Sequence, residues 1–299
     1  MSPRFVLACA VIVASGCTGS EPRAAPPPVV ATELTSTDTV VLVGAGDIAE
    51  CDAEGDEQTA ALLDSIPGTV FTAGDNAYHD GATSEFTGCY SPSWGRFLSR
   101  TRPAPGNHDY RTSGAKPYFA YFGARAGATG VGYYSYNLGA WHILSLNSEL
   151  SMKSGSAQER WLRADLAATK TKCTLAYWHS PRFSSGTEHG SDASTQPLWQ
   201  ALYDYGADVV IAGHEHNYER FAPQTPTGRA DPDSGIREFV AGTGGADHYP
   251  FGPPIANSEV RNGDTWGVLK LTLLPGSYRW EFIPVAGMTF TDSGSARCH

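Results

Sequence analysis

The chain has 299 residues, 41% of them hydrophobic and 11% aromatic, enough for one large globular domain with a filled core. Its formal net charge of −10 argues against a nucleic-acid groove or an anionic-membrane patch, since both need clustered Lys and Arg. The one short basic run, Arg96 to Arg102, reads as solvated surface, so an anionic substrate would draw its positive charge from bound cations.

The N-terminus carries a minimal positive region at Arg4 and an apolar stretch, Phe5 to Ala14, too short to span a bilayer. Ala14-Ser15-Gly16-Cys17 then resembles a bacterial lipobox, with Cys17 as the lipidated first mature residue; an ordinary cleaved secretory signal is the alternative. Residues 1–17 are thus expected to direct export, either to the cell envelope as a lipoprotein or to the medium. Membrane contact would run only through lipid on Cys17. Residues 18–38, rich in Pro, Ala, Ser and Thr, contain Pro26-Pro27-Pro28 and cannot bury enough apolar surface to fold. They are expected to form a disordered tether, leaving residues 39–299 as a single domain.

Within that domain Thr39 to Ala45 is a nearly continuous apolar run, as a buried strand requires. Asp56 to Ser65 has helical spacing at Ala60, Leu62 and Leu63, and Thr69 to Ala73 is a second strand closed by Gly74. Val131 to Asn147 alternates aromatic with small or polar residues, predicting a hairpin closed at Gly139-Ala140. Ser156-Ala157-Gln158-Glu159 matches a capping box opening a helix whose inner face carries Trp161, Leu162 and Leu166. Thr174 to Trp178 and Asp208 to Ala212 are further buried strands, with a helix from Gln196 to Tyr205 between them. The tail has strand-like runs at Phe239–Ala241, Val268–Leu273 and Tyr278–Ile283, with a turn at Pro275-Gly276. Alternating strand and helix followed by a strand-heavy half predicts an α/β (α+β) fold of two mixed β-sheets packed face to face with helices outside, a four-layer αββα sandwich.

Once Cys9 leaves with the signal and Cys17 is lipidated, four cysteines remain, and four allow three pairings. Cys51 and Cys89 each follow one of the first two ligand motifs described next, Cys173 precedes a strand at its opposite end, and Cys298 is next to last. The expected bridges are Cys51–Cys89 and Cys173–Cys298, both suited to an oxidising compartment.

Five segments place metal-type ligands where a strand should end: Gly46-Asp47, Gly74-Asp75-Asn76-Ala77-Tyr78, Gly106-Asn107-His108-Asp109, Trp178-His179 and Gly213-His214-Glu215-His216. Each is read as following an apolar run, usually beside a Gly that allows the sharp exit turn. In open α/β sheets ligands collect beyond the carboxyl ends of strands. Oxygen and imidazole donors without thiolate suit two hard or borderline cations better than a structural zinc.

In order and residue type these five motifs resemble the calcineurin-like metallophosphoesterase superfamily, and within it the purple acid phosphatase (tartrate-resistant acid phosphatase-like) branch. The resemblance runs from Gly46 to about Arg220. Most of that superfamily has Asp-x-His at the first motif, whereas Asp47-Ile48-Ala49 lacks the His. Tyr78, three residues after Asp75, stands where the branch places a ligating tyrosinate. The resemblance implies one ion on Asp47, Asp75, Tyr78 and His216, and a second on Asp75, Asn107, His179 and His214, with Asp75 bridging. Two carboxylates, a phenolate and a bridging hydroxide carry four negative charges. Fe(III) at the Tyr78 site with a divalent partner (Zn, Fe or Mn) leaves the centre near +1, which favours phosphate and lowers the pKa of bound water.

The implied activity is that of an exported acid phosphatase, hydrolysing phosphate monoesters with a metal-bound hydroxide. His108 is expected to contact phosphate with Asp109 orienting it, and His189 to protonate the leaving group. Glu215 should point away from the metals. His79 and His248 read as surface-loop residues near the rim, and His142 as a satisfied sheet residue. The Tyr110–Gly132 and Ser180–Thr195 stretches should shape a pocket for a small phosphate ester. A phosphodiesterase or nucleotidase on the same centre is the alternative within chemistry, and a surface binding lipoprotein with a residual metal site the alternative outside it. Oligomeric state is not legible.

Overall fold

The computed structural model describes residues 39–299 together with Met1 and Pro3, and the described residues from Thr39 onward fall within one compact unit. The expectations for the export signal, Cys17 and the tether lie outside the described residues. Among the described residues no helix is long and apolar enough to cross a membrane.

Among the described residues fifteen strands run in chain order: β1 (Val40–Ala45), β2 (Ala49–Glu50), β3 (Thr69–Ala73), β4 (Ala77–Tyr78), β5 (Thr101–Ala104), β6 (Tyr134–Leu138), β7 (Trp141–Ser145) and β8 (Cys173–Tyr177), then β9 (Val209–Ala212), β10 (Tyr218–Phe221), β11 (Arg237–Ala241), β12 (Ser258–Asn262), β13 (Gly267–Leu274), β14 (Ser277–Pro284) and β15 (Asp292–Arg297). The larger helices are α1 (Gly55–Ser65), α2 (Lys116–Phe122), α3 (Ala157–Ala168) and α4 (Gln196–Asp204). One six-stranded sheet has the order β15-β14-β13-β1-β3-β5 and one seven-stranded sheet the order β12-β10-β11-β9-β8-β7-β6. Both are mixed. β1, β3 and β5 are parallel, as are β7, β8, β9 and β11, while the outer hairpins are antiparallel.

Alternation along each strand sorts side chains between faces. Leu42, Phe71, Leu269 and Leu271 of the first sheet meet Ile143, Leu175, Ile211 and Phe239 of the second in one central core. On the far side of the first sheet Val43, Ala45 and Val70 pack on Leu63 of α1 and Phe119 of α2. On the far side of the second, Leu144, Ala176 and Val210 pack on Leu162 and Leu166 of α3 and Leu198 and Trp199 of α4. The four-layer arrangement expected from the alternating pattern is present. Ser156 caps α3 by accepting from Glu159 N at 3.2 Å, and the β6–β7 hairpin turns at Gly139-Ala140.

One strand expectation needs correction, and one edge strand has no expectation at all. The third ligand motif does not follow an apolar run: β5 reads Thr-Arg-Pro-Ala and lies at a sheet edge, where proline's missing N–H costs no ladder bond. The edge strand β15, Asp-Ser-Gly-Ser-Ala-Arg, pairs with β14 although no apolar alternation announces it.

Both expected disulfides are present, Cys51–Cys89 and Cys173–Cys298, with Cα separations of 5.2 and 5.5 Å. They span 38 and 125 residues of sequence, and closing loops of these lengths stabilises a fold by up to about 4 and about 5 kcal/mol on the chain-entropy account. The second fastens the C-terminus to β8, where His299 N donates to Asp208 Oδ1 at 3.0 Å and Thr174 N to Asp208 Oδ2 at 2.9 Å.

Burial nevertheless raises the Asp208 carboxyl to about 7. Asp56, buried beside Ser93 at the start of α1, is raised to about 7 by burial and by neighbouring Glu57. A carboxyl raised above its unfolded value stabilises the fold fully below about pH 4 and loses that contribution as pH rises through about 7. Equilibrium unfolding of the wild type should therefore lose roughly 2 kcal/mol more than Asp208→Asn between about pH 5 and 8. The slope is the readout, because any constant cost of the amide drops out of it; parallel curves would show that Asp208 titrates normally.

Candidate metal centre

The carboxyl ends of β1, β3, β5, β8 and β9 converge where the two sheets meet, with Gly46 N donating to Ala241 O at 2.8 Å across them. Each strand hands on one ligand segment. Asp47, Asp75 and His214 leave their strands in the left-handed region, with φ of 59°, 49° and 71°. That conformation is uncommon for side-chain-bearing residues and concentrates at functional sites. Glycines make room. A Cβ on Gly106 would stand 2.2 Å from Asp75 Oδ1, and Gly74, at φ 84°, would place one 2.5 Å from His179 Nδ1.

Each buried carboxylate commits one oxygen to a backbone amide from another turn. His214 N donates to Asp47 Oδ2 at 2.8 Å, and His108 N donates to Asp75 Oδ1 at 2.7 Å. The remaining oxygens face the centre. Tyr78 Oη lies 2.9 Å from Asp47 Oδ1, 3.2 Å from Asp75 Oδ2 and 3.1 Å from His216 Nε2, and His216 Nε2 lies 3.3 Å from Asp47 Oδ1. On the other side His179 Nε2 is 3.1 Å from Asp75 Oδ2, 2.9 Å from Asn107 Oδ1 and 3.0 Å from His214 Nδ1. Two four-donor groups thus share one atom, Asp75 Oδ2. The far nitrogens of two of the histidines are spoken for: His179 Nδ1 faces Ala73 O at 2.9 Å and His216 Nδ1 faces Asp247 O at 2.5 Å. Such contacts leave Nε2 lone pairs for a cation.

The donor set fits metal ions. Bonds of about 2.0–2.1 Å put neighbouring donors roughly 2.9 Å apart in octahedral and 3.4 Å apart in tetrahedral coordination, which brackets the spacings here. Without a cation the cluster is electrostatically awkward. Burial would depress the His179 imidazole, yet Asp75 beside it raises it to about 10, the response of a nitrogen held in a field that favours positive charge. Burial, with His179 and His189 nearby, pulls His214 down to about 3. Burial and the Asp47 and Asp75 charges push the Tyr78 phenol well above its usual range, so only a cation could make it a phenolate.

Of the other expected residues, His108 and His189 each pack against a different donor of the centre, Tyr78 and His214. The His108 ring packs 4.4 Å from the Tyr78 ring, centroid to centroid, with its Nε2 4.0 Å from Asp75 Oδ2. His189 stacks on His214 at 3.9 Å and 19°. The expected Asp109–His108 pair is not formed: His108 Nδ1 faces His79 O at 2.7 Å. Asp109, fully buried, accepts instead from Gly106 N and Asn76 Nδ2, each at 2.9 Å, and so clamps the second motif to the third. Glu215 points away from the donors, as expected, and accepts from His189 N at 2.7 Å. His79 pairs with Glu50 at 3.3 Å, His248 stacks on Trp266, and His142 on β7 is satisfied by Asp165 and Asn137.

Sequence reasoning missed Tyr249, whose ring stacks on His216 at 3.8 Å and 11° and stands 5.7 Å from His189. A signal existed: Gly242-Thr243-Gly244-Gly245 follows β11 as the other glycine turns follow their strands.

Residues 40–218 match the calcineurin-like phosphoesterase family model, and the chain belongs to that family. Purple acid phosphatase 15 of Arabidopsis thaliana is 29% identical over 195 residues, covering 53% of this chain and 37% of its own. Purple acid phosphatase 21 of the same plant is 30% identical over 233 residues, covering 66% and 50%. The chain thus spans half or less of the length of these relatives. The structure of purple acid phosphatase PPD1 from yellow lupin superposes with a TM-score of 0.71 at 20% identity, over 87% of this chain and 54% of that one, and shares its fold. The family implies a dinuclear metal centre, and the shared Asp75 oxygen is placed for one.

Metal analysis of purified variants tests the assignment. Asp75→Ala should lose both ions, His216→Ala the ion on the Tyr78 side, and Asn107→Ala the other. Retention of two ions by Asp75→Ala would refute the bridging role.

Proposed function

We propose that this chain is an exported dinuclear-metal phosphomonoesterase of the purple acid phosphatase kind. The observation that carries this reading is the Asp75 Oδ2 atom shared between two donor groups, one of which contains a phenol, Tyr78. Asp47, Asp75, Tyr78 and His216 would hold one ion, with Asp75, Asn107, His179 and His214 holding the other. Bound there, the ions supply Lewis-acid charge for an anionic ester and activate water. Fe(III) at the Tyr78 side, with Zn, Fe or Mn opposite, suits a site with two carboxylates and a phenol among its donors.

The protein side chains do the rest. His108, held through its backbone N–H and Nδ1, keeps Nε2 toward the centre to engage phosphate. His189, on the His214 side, would give a proton to the departing alcohol. Export is supported by the two disulfides and by the reading of residues 1–17; lipid on Cys17 would be the membrane contact.

Turnover of para-nitrophenyl phosphate and of its bis ester, with and without chelator, separates the possible activities. Chelator-sensitive hydrolysis of the monoester is expected, whereas preference for the diester would favour a phosphodiesterase. No turnover of either would leave a binding protein. His189→Ala should cost about 100-fold in kcat on an alkyl phosphate and far less on para-nitrophenyl phosphate, whose leaving group needs no proton. A visible absorption band lost in Tyr78→Phe would establish Fe(III) on the phenolate; a colourless, active enzyme would refute it.

A further inference from the structure

Three glutamates lie fully buried beneath the loop that carries His189: Glu215 in the turn after β9, Glu219 on β10 and Glu238 on β11. Glu219 pairs opposite Val240, and strand alternation puts Glu238 on that same helix-facing side. There Phe183 of the loop packs with Phe221 and Val240. Glu238 accepts from Arg182 N at 2.9 Å and Phe183 N at 3.0 Å, one amide on each oxygen. Glu219 accepts from Ser185 N at 2.7 Å, Ser185 Oγ at 2.6 Å and Ser258 Oγ at 2.5 Å. Glu215 Oε1 accepts from both His189 N and Gly190 N.

An irregular segment has no ladder in which to satisfy its buried amides. Here successive points of residues 182–190 hang on carboxylates from the sheet. The loop's other edge is tied to the 249–252 segment, with Thr187 N donating to Pro250 O at 3.1 Å and Gly252 N to Ser185 O at 2.8 Å. That tie brings Tyr249 against His216 and near His189.

We propose, on the reading of His189 as a residue of the phosphoester site, that Glu215 is a positioning residue which fixes the His189–Gly190 turn and so keeps His189 stacked on His214. Glu219 and Glu238 secure the remainder of the same loop. The oxygens make the roles distinguishable. Glu215 uses one oxygen for two amides while its Oε2 is buried without a partner, so glutamine can put its carbonyl in the same place. Glu238 uses both oxygens, so glutamine there turns an N–H against a backbone N–H.

The test uses the full, metal-loaded chain with hydrogen–deuterium exchange and kinetics on an alkyl phosphate. Glu215→Ala should speed exchange of the 186–191 amides by about tenfold or more while leaving the two ions bound. It should lower kcat by about tenfold, add less than about twofold on a His189→Ala background, and be largely recovered in Glu215→Gln. Unchanged exchange in Glu215→Ala, or losses that multiply with His189→Ala, would overturn the role. Should Glu215→Ala fail to fold, Glu238→Gln must loosen the loop and Glu215→Gln must not; equal behaviour overturns it. If the wild type hydrolyses no ester but the exchange change appears, the clamp stands and the phosphoesterase reading falls.

Discussion

Two carboxylates held almost without solvent, each tied by one oxygen to a backbone amide, set the terms for the rest of the molecule. Asp47 is bound by His214 N from the second sheet, and Asp75 by His108 N from the neighbouring turn. An isolated ionised carboxylate is costly to bury, so the surrounding structure must both supply positive charge and hold the strand ends still. The left-handed backbone at Asp47, Asp75 and His214 and the close approach of Gly74 and Gly106 follow from that demand. So does the Asp109 clamp, which ties Asn76 to Gly106. The disulfide between Cys51 and Cys89 closes the loop that begins just beyond the first of these carboxylates.

The chain as a whole carries a net charge of −10 and belongs to a family of phosphoesterases. The groups in contact at the centre are two carboxylates, a phenol, an amide and imidazoles. Their sum is negative or neutral. An anionic ester therefore needs charge from ions. Asp75 and Asp47 beside His179 make a field that favours positive charge there.

The strand-end motifs were legible because parallel strands carry a local signature and their carboxyl ends are the place ligands gather. What failed was partly a local capping pattern and partly contacts through space. Asp109 beside His108 suggested an orienting pair, yet Asp109 is the third residue of the short helix Asn107–Arg111, whose N-cap is Gly106. An acidic residue there reaches back to the amide at the turn's start, and the Gly-x-x-Asp spacing already implied it. The edge strand β15 has no apolar alternation to read, since it pairs through its backbone and packs Gly294 on Trp280. Tyr249 comes against His216 because two loops remote in sequence are bridged at Gly186 and Phe251; the glycine turn after β11 marks the loop but not that contact.

The segment His214-Glu215-His216 shows how one turn serves both layers of the site. His214 Nδ1 and His216 Nε2 are directed at opposite donor groups, while the carboxylate between them is turned to the loop above. A shift of this turn would therefore move a donor of each ion and the anchor of His189 together. His214 packs on His179 and carries the face on which His189 stacks, so an ion held by His179 and His214 would steady that face too. Loop placement and metal geometry are thus mechanically linked through three consecutive residues. The His189 loop is in this respect an extension of the candidate metal centre rather than a separate lid.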